Sequence, residues 1–368
     1  MRDIAFYAPM KSPTHAKPSG DREMARNLMA AIGAHRAAGQ VDLVSELQSH
    51  DPAGSPETQA GMQAQARAEI ARLTETLAGR DIGLWVTYHN YYKAPDLLGP
   101  AVCAALNLPY VIIEASRAKR RLTGPWAEYA AAAETACDAA QVIFYMTEHD
   151  LLTLERDRTP DQALVHLRPF LPLDDLPAPA DPATGTMLSV GMMRKRDKLE
   201  SYRIIAGMLA CLTTPDWRLD IVGDGPARAE VEDLMRPFGD RVRFMGQLDR
   251  AALSQAYAAA SLFLWPGANE AYGMVYLEAQ AAGLPIVAQD RIGVREVLAV
   301  AAPTAPYPDP ELGAAALAAS ADALLQDPDL RRAQGRRARE MISQRHLKGN
   351  AMQSFWQAVT PLMHEPAQ

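Results

Sequence analysis

The chain has 368 residues, 48% hydrophobic and 22% charged, with a formal net charge of −7. That length exceeds one ordinary core and predicts two domains of roughly 150 to 200 residues each. The acidic balance excludes a global positive field for nucleic acid, so any anion must be held by a local site. Three widely spaced cysteines, Cys103, Cys137 and Cys211, form no CxxC pair and no metal-ligand spacing, which fits a reduced, cytoplasmic protein.

The opening run MRDIAFYAPM is too short for a signal peptide and stops at a Lys-Ser-Pro turn. No later run reaches the roughly 18 uncharged apolar residues that a membrane span needs. Short β-branched and aromatic runs then alternate with Ala-rich amphipathic stretches. IAFYAP leads to REMARNLMAAIGAH, then VDLVSE, a long helical stretch ending near Leu77, IGLWVTY, PYVIIEA and QVIFYM. Strands separated in this way by helices predict a parallel sheet covered on both faces. RPFLPLDDLPAPADPATGT, rich in Pro and Asp and without a period, reads as a linker.

The alternation restarts with MLSVGMM, LESYRIIAGMLACL, WRLDIVGDG, ARAEVEDLM, RVRFMG, RAALSQAYAAA, SLFLWP and PIVAQD. The reading is of two doubly wound α/β domains: residues 1–172, a linker over 173–186, and residues 187–345. A terminal helix over 346–368 sets Met352, Phe355, Trp356 and Val359 at helical spacing, either packing back on the first domain or simply ending the chain. Ligands of such sheets bind at the carboxyl ends of the strands, so the expected site is the cleft between the domains.

Three stretches carry chemistry. LSVGMMRKRDK puts Gly191 at a strand end, followed by Arg194, Lys195, Arg196 and Lys198 where a helix begins, which is the pattern of either an anion site or a solvated basic turn. DIVGDGPARAE resembles half of a dinucleotide fingerprint, but Arg228 stands where a third glycine belongs, so Gly223 and Gly225 read better as a tight turn. In NEAYGMVYLEAQAAGLP, Gly273 allows close backbone approach and a helix runs from Met274 to a cap at Gly283. The first N–H groups of that helix suit phosphate oxygens. Glu270 before the helix and Glu278 inside it suit sugar diols, with a surface cap and a surface charge as the plain alternatives.

EAYGMVYLE followed by AQAAGLPIVA resembles the signature of retaining glycosyltransferases of family 4, which have the GT-B fold, two Rossmann-like domains facing each other across a cleft. LSVGMM, IVGDGP, VRFMGQL and RIGVREVL follow that family's order, and PSGDREMARNLMAAI and TYHNYYKAP resemble its N-terminal half more loosely. The resemblance implies a nucleotide-sugar donor, UDP-sugar ahead of GDP-sugar, with no metal. Glu278 would bind the ribose and Glu270 the transferred sugar. Gly191, Tyr272, Gly273, Met274 and Val275 would contact the donor, and Lys198 would neutralise the leaving diphosphate. Gly20 would admit the first loop to the phosphates, and His89 would sit near the reacting carbon.

The family has Gly-Arg where this chain has Gly191-Met192, and Arg194 is the expected substitute for the missing cation. The acceptor would be a hydroxyl of a glycan, lipid or small molecule, attacking from the leaving-group side. EASRAKRR, with Glu114, Arg117, Lys119, Arg120 and Arg121, reads as a solvated basic loop, with a phosphorylated acceptor or a peripheral contact at a membrane's inner face as alternatives. Asp327-Pro328-Asp329 has the letters of a metal-holding pair but stands where aspartates cap a helix. Rival readings are another GT-B sugar-phosphate enzyme, an epimerase or phosphorylase, and a catalytically silent binding subunit, which Met192 keeps open.

Overall fold

The computed structural model describes residues 1–17, 19–180 and 185–364, so part of the expected linker, residues 181–184, lies outside the described residues. The chain divides into two compact units: Met1–Arg168 together with the chain from Lys348 onward, and Pro169–Leu347.

The first unit runs β1 (Asp3–Tyr7), α1 (Gly20–Gly33), β2 (Val41–Ser45), α2 (Pro56–Leu77), β3 (Ile82–Asn90), α3 (Gly99–Leu106), β4 (Tyr110–Ala115), α4 (Ala127–Ala139), β5 (Val142–Tyr145), α5 (Glu148–Asp157) and β6 (Ala163–His166). Its parallel sheet has the order β2-β1-β3-β4-β5-β6. β3 is central and buried along nearly its whole length, with an apolar first half, as a strand covered on both faces must be. The chain order reverses between β1 and β3, so the loops leaving these neighbours turn to opposite faces and open a crevice at their carboxyl ends.

The second unit runs β7 (Thr186–Val190), α6 (Asp197–Cys211), β8 (Arg218–Val222), α7 (Arg228–Met235), β9 (Val242–Gly246), α8 (Arg250–Ala259), β10 (Leu262–Leu264), α9 (Met274–Ala281), β11 (Ile286–Val287), α10 (Ile292–Arg295), α11 (Gly313–Gln326) and α12 (Pro328–Arg345). Its parallel order β11-β10-β7-β8-β9 is that of a dinucleotide-binding half-fold, and its reversal falls between β7 and β10. Asp327 caps α12 by accepting the N–H groups of Asp329 and Leu330, both at 2.9 Å.

The last helix, α13 (Lys348–His364), belongs to the first unit. Phe355 stacks on Phe144 of β5 at 5.2 Å and Trp356 stacks on His35 at 4.5 Å. Phe355 and Val359 are fully buried, so this helix closes one face of the first core. Among the described residues no helix is long and apolar enough to cross a membrane. Cys103 and Cys137 are buried and free, and Cys211 is exposed.

Candidate functional site

In the second unit the expected donor residues gather where the chain order reverses. Gly191 follows β7 directly, and Trp265, which is fully buried, follows β10. A side chain at Gly191 would lie 2.7 Å from the Trp265 ring, so glycine is what lets the two strand exits touch. Tyr202 of α6 donates to the Gly191 carbonyl at 2.9 Å and meets the indole edge to face at 5.2 Å.

The indole N–H of Trp265 donates to Glu270 Oε1 at 2.9 Å. Lys198 Nζ donates to the same oxygen and lies 5.3 Å from the Trp265 ring centroid. α6 thus presents a cation, and the loop after β10 presents a carboxylate, across the reversal point. Both side chains are largely buried, with 24% and 12% of their surfaces exposed, so their attraction is only weakly screened.

Gly273 precedes α9 with φ +80, in the left-handed region, and a Cβ there would stand 2.8 Å from the Tyr276 ring. No other residue fits both the dihedral and the space. Tyr276 is fully buried and donates to the Trp265 carbonyl at 2.9 Å, which ties the start of α9 to the end of β10. Gly273, Met274 and Val275 are half-buried at this helix start, and Tyr272 beside them is buried. α9 ends as expected, with Gly283 at φ +86 and the Leu284 N–H bonded to the Ala279 carbonyl at 3.0 Å.

Glu278 lies further along α9, where Tyr257 of α8 donates to its Oε2 at 2.9 Å. Arg194 reaches back to the Met192 sulfur at 3.3 Å, so the arginine expected to replace the missing cation has that thioether as a neighbour.

The turn IVGDGP does more than the tight bend expected of it. Cβ atoms at Gly223 and Gly225 would collide with the carbonyls of Gly191 and Met193. Hydrogen bonds from Gly191 N to Val222 O at 3.0 Å and from Met193 N to Asp224 O at 2.9 Å extend the pairing of β7 and β8 beyond both strands. The two glycines therefore fix the path of the Gly191–Met193 backbone.

The first unit holds Gly20 and His89 at its own reversal point. His89, next to last in β3, is in the left-handed region, φ 67, and its Nδ1 lies 3.0 Å from Asp21 Oδ1 at the start of α1. Glu114, next to last in the neighbouring β4 and at φ 62, brings Oε1 to 3.9 Å from the same nitrogen. Two non-glycine residues in this region at adjacent strand ends mark local strain held by the surrounding fold. Burial opposes the imidazolium, but Glu114, Asp21 and Asp150 outweigh it and raise His89 from 6.5 to about 9. Burial lifts Glu114 to about 6, with His89 pulling the other way, and His89 holds Asp21 below its usual range against burial. Gly20 has no steric reason to be glycine, since a Cβ there would meet nothing within 4 Å.

The basic stretch after β4 is solvated only in part: Lys119 and Arg120 are exposed as expected, but Arg117 is not. Arg117 is 5% exposed and bonds Glu134 and Asp138, each at 2.7 Å. Lys119 pairs with Asp157 at 2.7 Å. Trp265, Tyr257 and Asp21 were not legible as site residues. A buried Trp at a strand end needs an acceptor for its N–H, and Glu270 five residues on was the available signal.

Residues 186–341 match the family of glycosyl transferases group 1, and the chain has the GT-B fold with a group 1 domain as its second unit. Over the whole chain it is similar to a sucrose-phosphate synthase from Thermosynechococcus elongatus (20% identity, TM-score 0.69, covering 98% of this chain and 99% of that one). It is equally similar to Anabaena HepE in complex with UDP and glucose (17% identity, TM-score 0.69, 98% and 100%). Among curated proteins it is 32% identical over 118 residues to the sulfoquinovosyl transferase SQD2 of Arabidopsis thaliana, covering 32% of this chain and 22% of that one. It is 37% identical over 124 residues to a phosphatidyl-myo-inositol mannosyltransferase of Mycobacterium tuberculosis, covering 32% of each. The matches thus span about a fifth to a third of these relatives' own length.

Proposed function

We propose that the protein is a retaining glycosyltransferase of family 4, moving a sugar from a nucleotide diphosphate sugar to an acceptor hydroxyl without a metal. The observation that carries this reading is the convergence of Lys198, Glu270 and Trp265 with the Gly273 start of α9 at the β7–β10 reversal. A diphosphate there would meet Lys198, with Arg194 as a second cation, and the positive end of a helix, stabilisation placed where negative charge develops as the donor breaks. UDP is favoured as the carrier because HepE is similar in fold and its complex contains UDP.

In this reading the ribose diol bonds Glu278, the orientation of which is set by Tyr257. Glu270, anchored by the Trp265 indole, accepts hydroxyls of the transferred sugar. The bond between the anomeric carbon and the phosphate oxygen breaks, its electron pair going to the diphosphate beside Lys198 and Arg194. The acceptor oxygen bonds to the anomeric carbon on the same face, and its proton passes to the departing phosphate oxygen. Gly191, Tyr272, Met274 and Val275 line the donor. The protein would work in the cytoplasm, at a membrane's inner face if its acceptor is a lipid.

Thermal melting with UDP, GDP and ADP, each with EDTA and with magnesium, tests this. A nucleotide at 100 times its dissociation constant adds about 2.7 kcal/mol of stability. Stabilisation by one nucleotide in EDTA supports the reading. No shift with any of them removes it in favour of the silent subunit that Met192 suggests.

A further inference from the structure

In the first unit, the loop after β3 and the approach to α4 bring together two aromatic rings and two cations that the donor site does not use. Tyr92 and Trp126 meet edge to face with centroids 5.8 Å apart. Lys93 Nζ lies 5.7 Å from the Tyr92 centroid and 5.1 Å from that of Trp126. The Arg121 guanidinium lies 5.1 Å and 5.6 Å from the same two centroids.

Two like charges therefore share one pair of rings. Among the described residues no carboxylate stands within ion-pair distance of either, although neighbouring Arg117 and Lys119 are both paired. Arg121 Nε is sequestered from solvent with no hydrogen-bond partner. Ring faces hold a cation without neutralising it, so both charges remain available to an anion.

The platform is braced from beneath. The Trp126 indole donates to the Asp51 carbonyl at 3.0 Å, and Gln59 bonds both the Asp51 carboxylate at 2.8 Å and the Pro125 carbonyl at 2.9 Å. The Asp51 carboxylate also accepts from Ala53, Gly54 and Ser55 N–H groups. Tyr91 links the patch to the strand-end cluster, lying 5.6 Å from Tyr92 and 5.0 Å from His89. The rings are thus fixed before any ligand arrives, and little ordering is left to oppose binding.

We propose that Lys93 and Arg121, held over Tyr92 and Trp126, bind the anionic group, phosphate or carboxylate, of the acceptor. That it belongs to the acceptor rests on the transferase reading; that the site takes an anion does not. The phosphate of a soluble sugar and that of a lipid headgroup share this chemistry.

The test titrates the full chain with glucose 6-phosphate, glucuronate, inorganic phosphate and glucose, reading fluorescence of the wild type against Trp126→Phe. Sedimentation with phosphatidylcholine vesicles, with and without phosphatidylglycerol, runs beside it. The double variant Lys93→Gln/Arg121→Gln should weaken binding of the anions, or of the anionic vesicles, at least tenfold. Lys119→Gln/Arg120→Gln, matched in charge, should leave it unchanged. Binding of glucose as tight as that of glucose 6-phosphate, equal losses in both double variants, or no anion binding at all would overturn the proposal. A UDP-induced melting shift retained in Lys93→Gln/Arg121→Gln shows that the variant is folded. Absence of that shift in the wild type would count against the transferase reading and leave the anion site standing.

Discussion

The indole N–H of Trp265 and the Lys198 ammonium converge on one oxygen of Glu270, joining the exits of β7 and β10 through a single carboxylate. Trp265→Phe removes that N–H together with the outer part of the indole that lies against Gly191. A hydrogen bond to a charged group contributes about 1.5–3 kcal/mol. Turnover of the folded enzyme should fall about tenfold or more, and the melting temperature should fall as well because buried ring area is lost; steady-state kinetics below the transition beside a melting curve separate the two.

Tyr257 fixes Glu278 in the same way at the other end of α9. Tyr257→Phe should weaken UDP binding several-fold by calorimetry and leave turnover at saturating donor nearly unchanged, since the lost bond orients a group that holds the nucleotide in every state of the reaction.

The glycines of the second unit separate folding from function. Gly191→Ala forces a methyl against the Trp265 ring and should destabilise by about 1–3 kcal/mol in urea unfolding. Gly223→Ala, with φ +135 and the Gly191 carbonyl in the way, should cost more. Gly20→Ala should leave stability unchanged, because nothing stands within 4 Å of its Cβ. A loss of donor-dependent activity in that variant alone would place the first loop against the donor.

Stability should depend on pH through His89. Its folded value of about 9 lies above the ordinary 6.5, so the stabilisation it contributes is complete below 6.5 and lost as pH rises through 9. Glu114, raised to about 6, acts in the same direction in a lower window, its contribution fading as pH rises from its ordinary 4.5 to 6. His89→Gln should flatten the upper window in unfolding measurements at a series of pH values.

Arg117 sits in the first unit with 2% of its side chain exposed between Glu134 and Asp138. Arg117→Ala leaves the half-buried Glu134 carboxylate without its cation, though still bonded by the Ala118 N–H, and should destabilise by about 1–3 kcal/mol in urea.

The doubly wound architecture was legible because strands covered on both faces are apolar runs, and β3, β4 and β10 carry that pattern. The Gly273 turn was legible because a positive φ beside a helix start leaves few other residues. Contacts between residues far apart in sequence were not: Asp21 meets His89 across 68 positions and Lys198 meets Glu270 across 72. Their proximity follows from strand order, which local periodicity does not encode. Arg117 looked like one of four exposed cations because its partners, 17 and 21 residues away, lie on α4.

The most direct test is calorimetric titration of UDP in EDTA into wild type, Glu278→Ala and Lys198→Ala. The account predicts saturable binding to the wild type, weakened about tenfold or more in each variant. Equal affinity in all three, in folded protein, would contradict a donor site at the β7–β10 reversal.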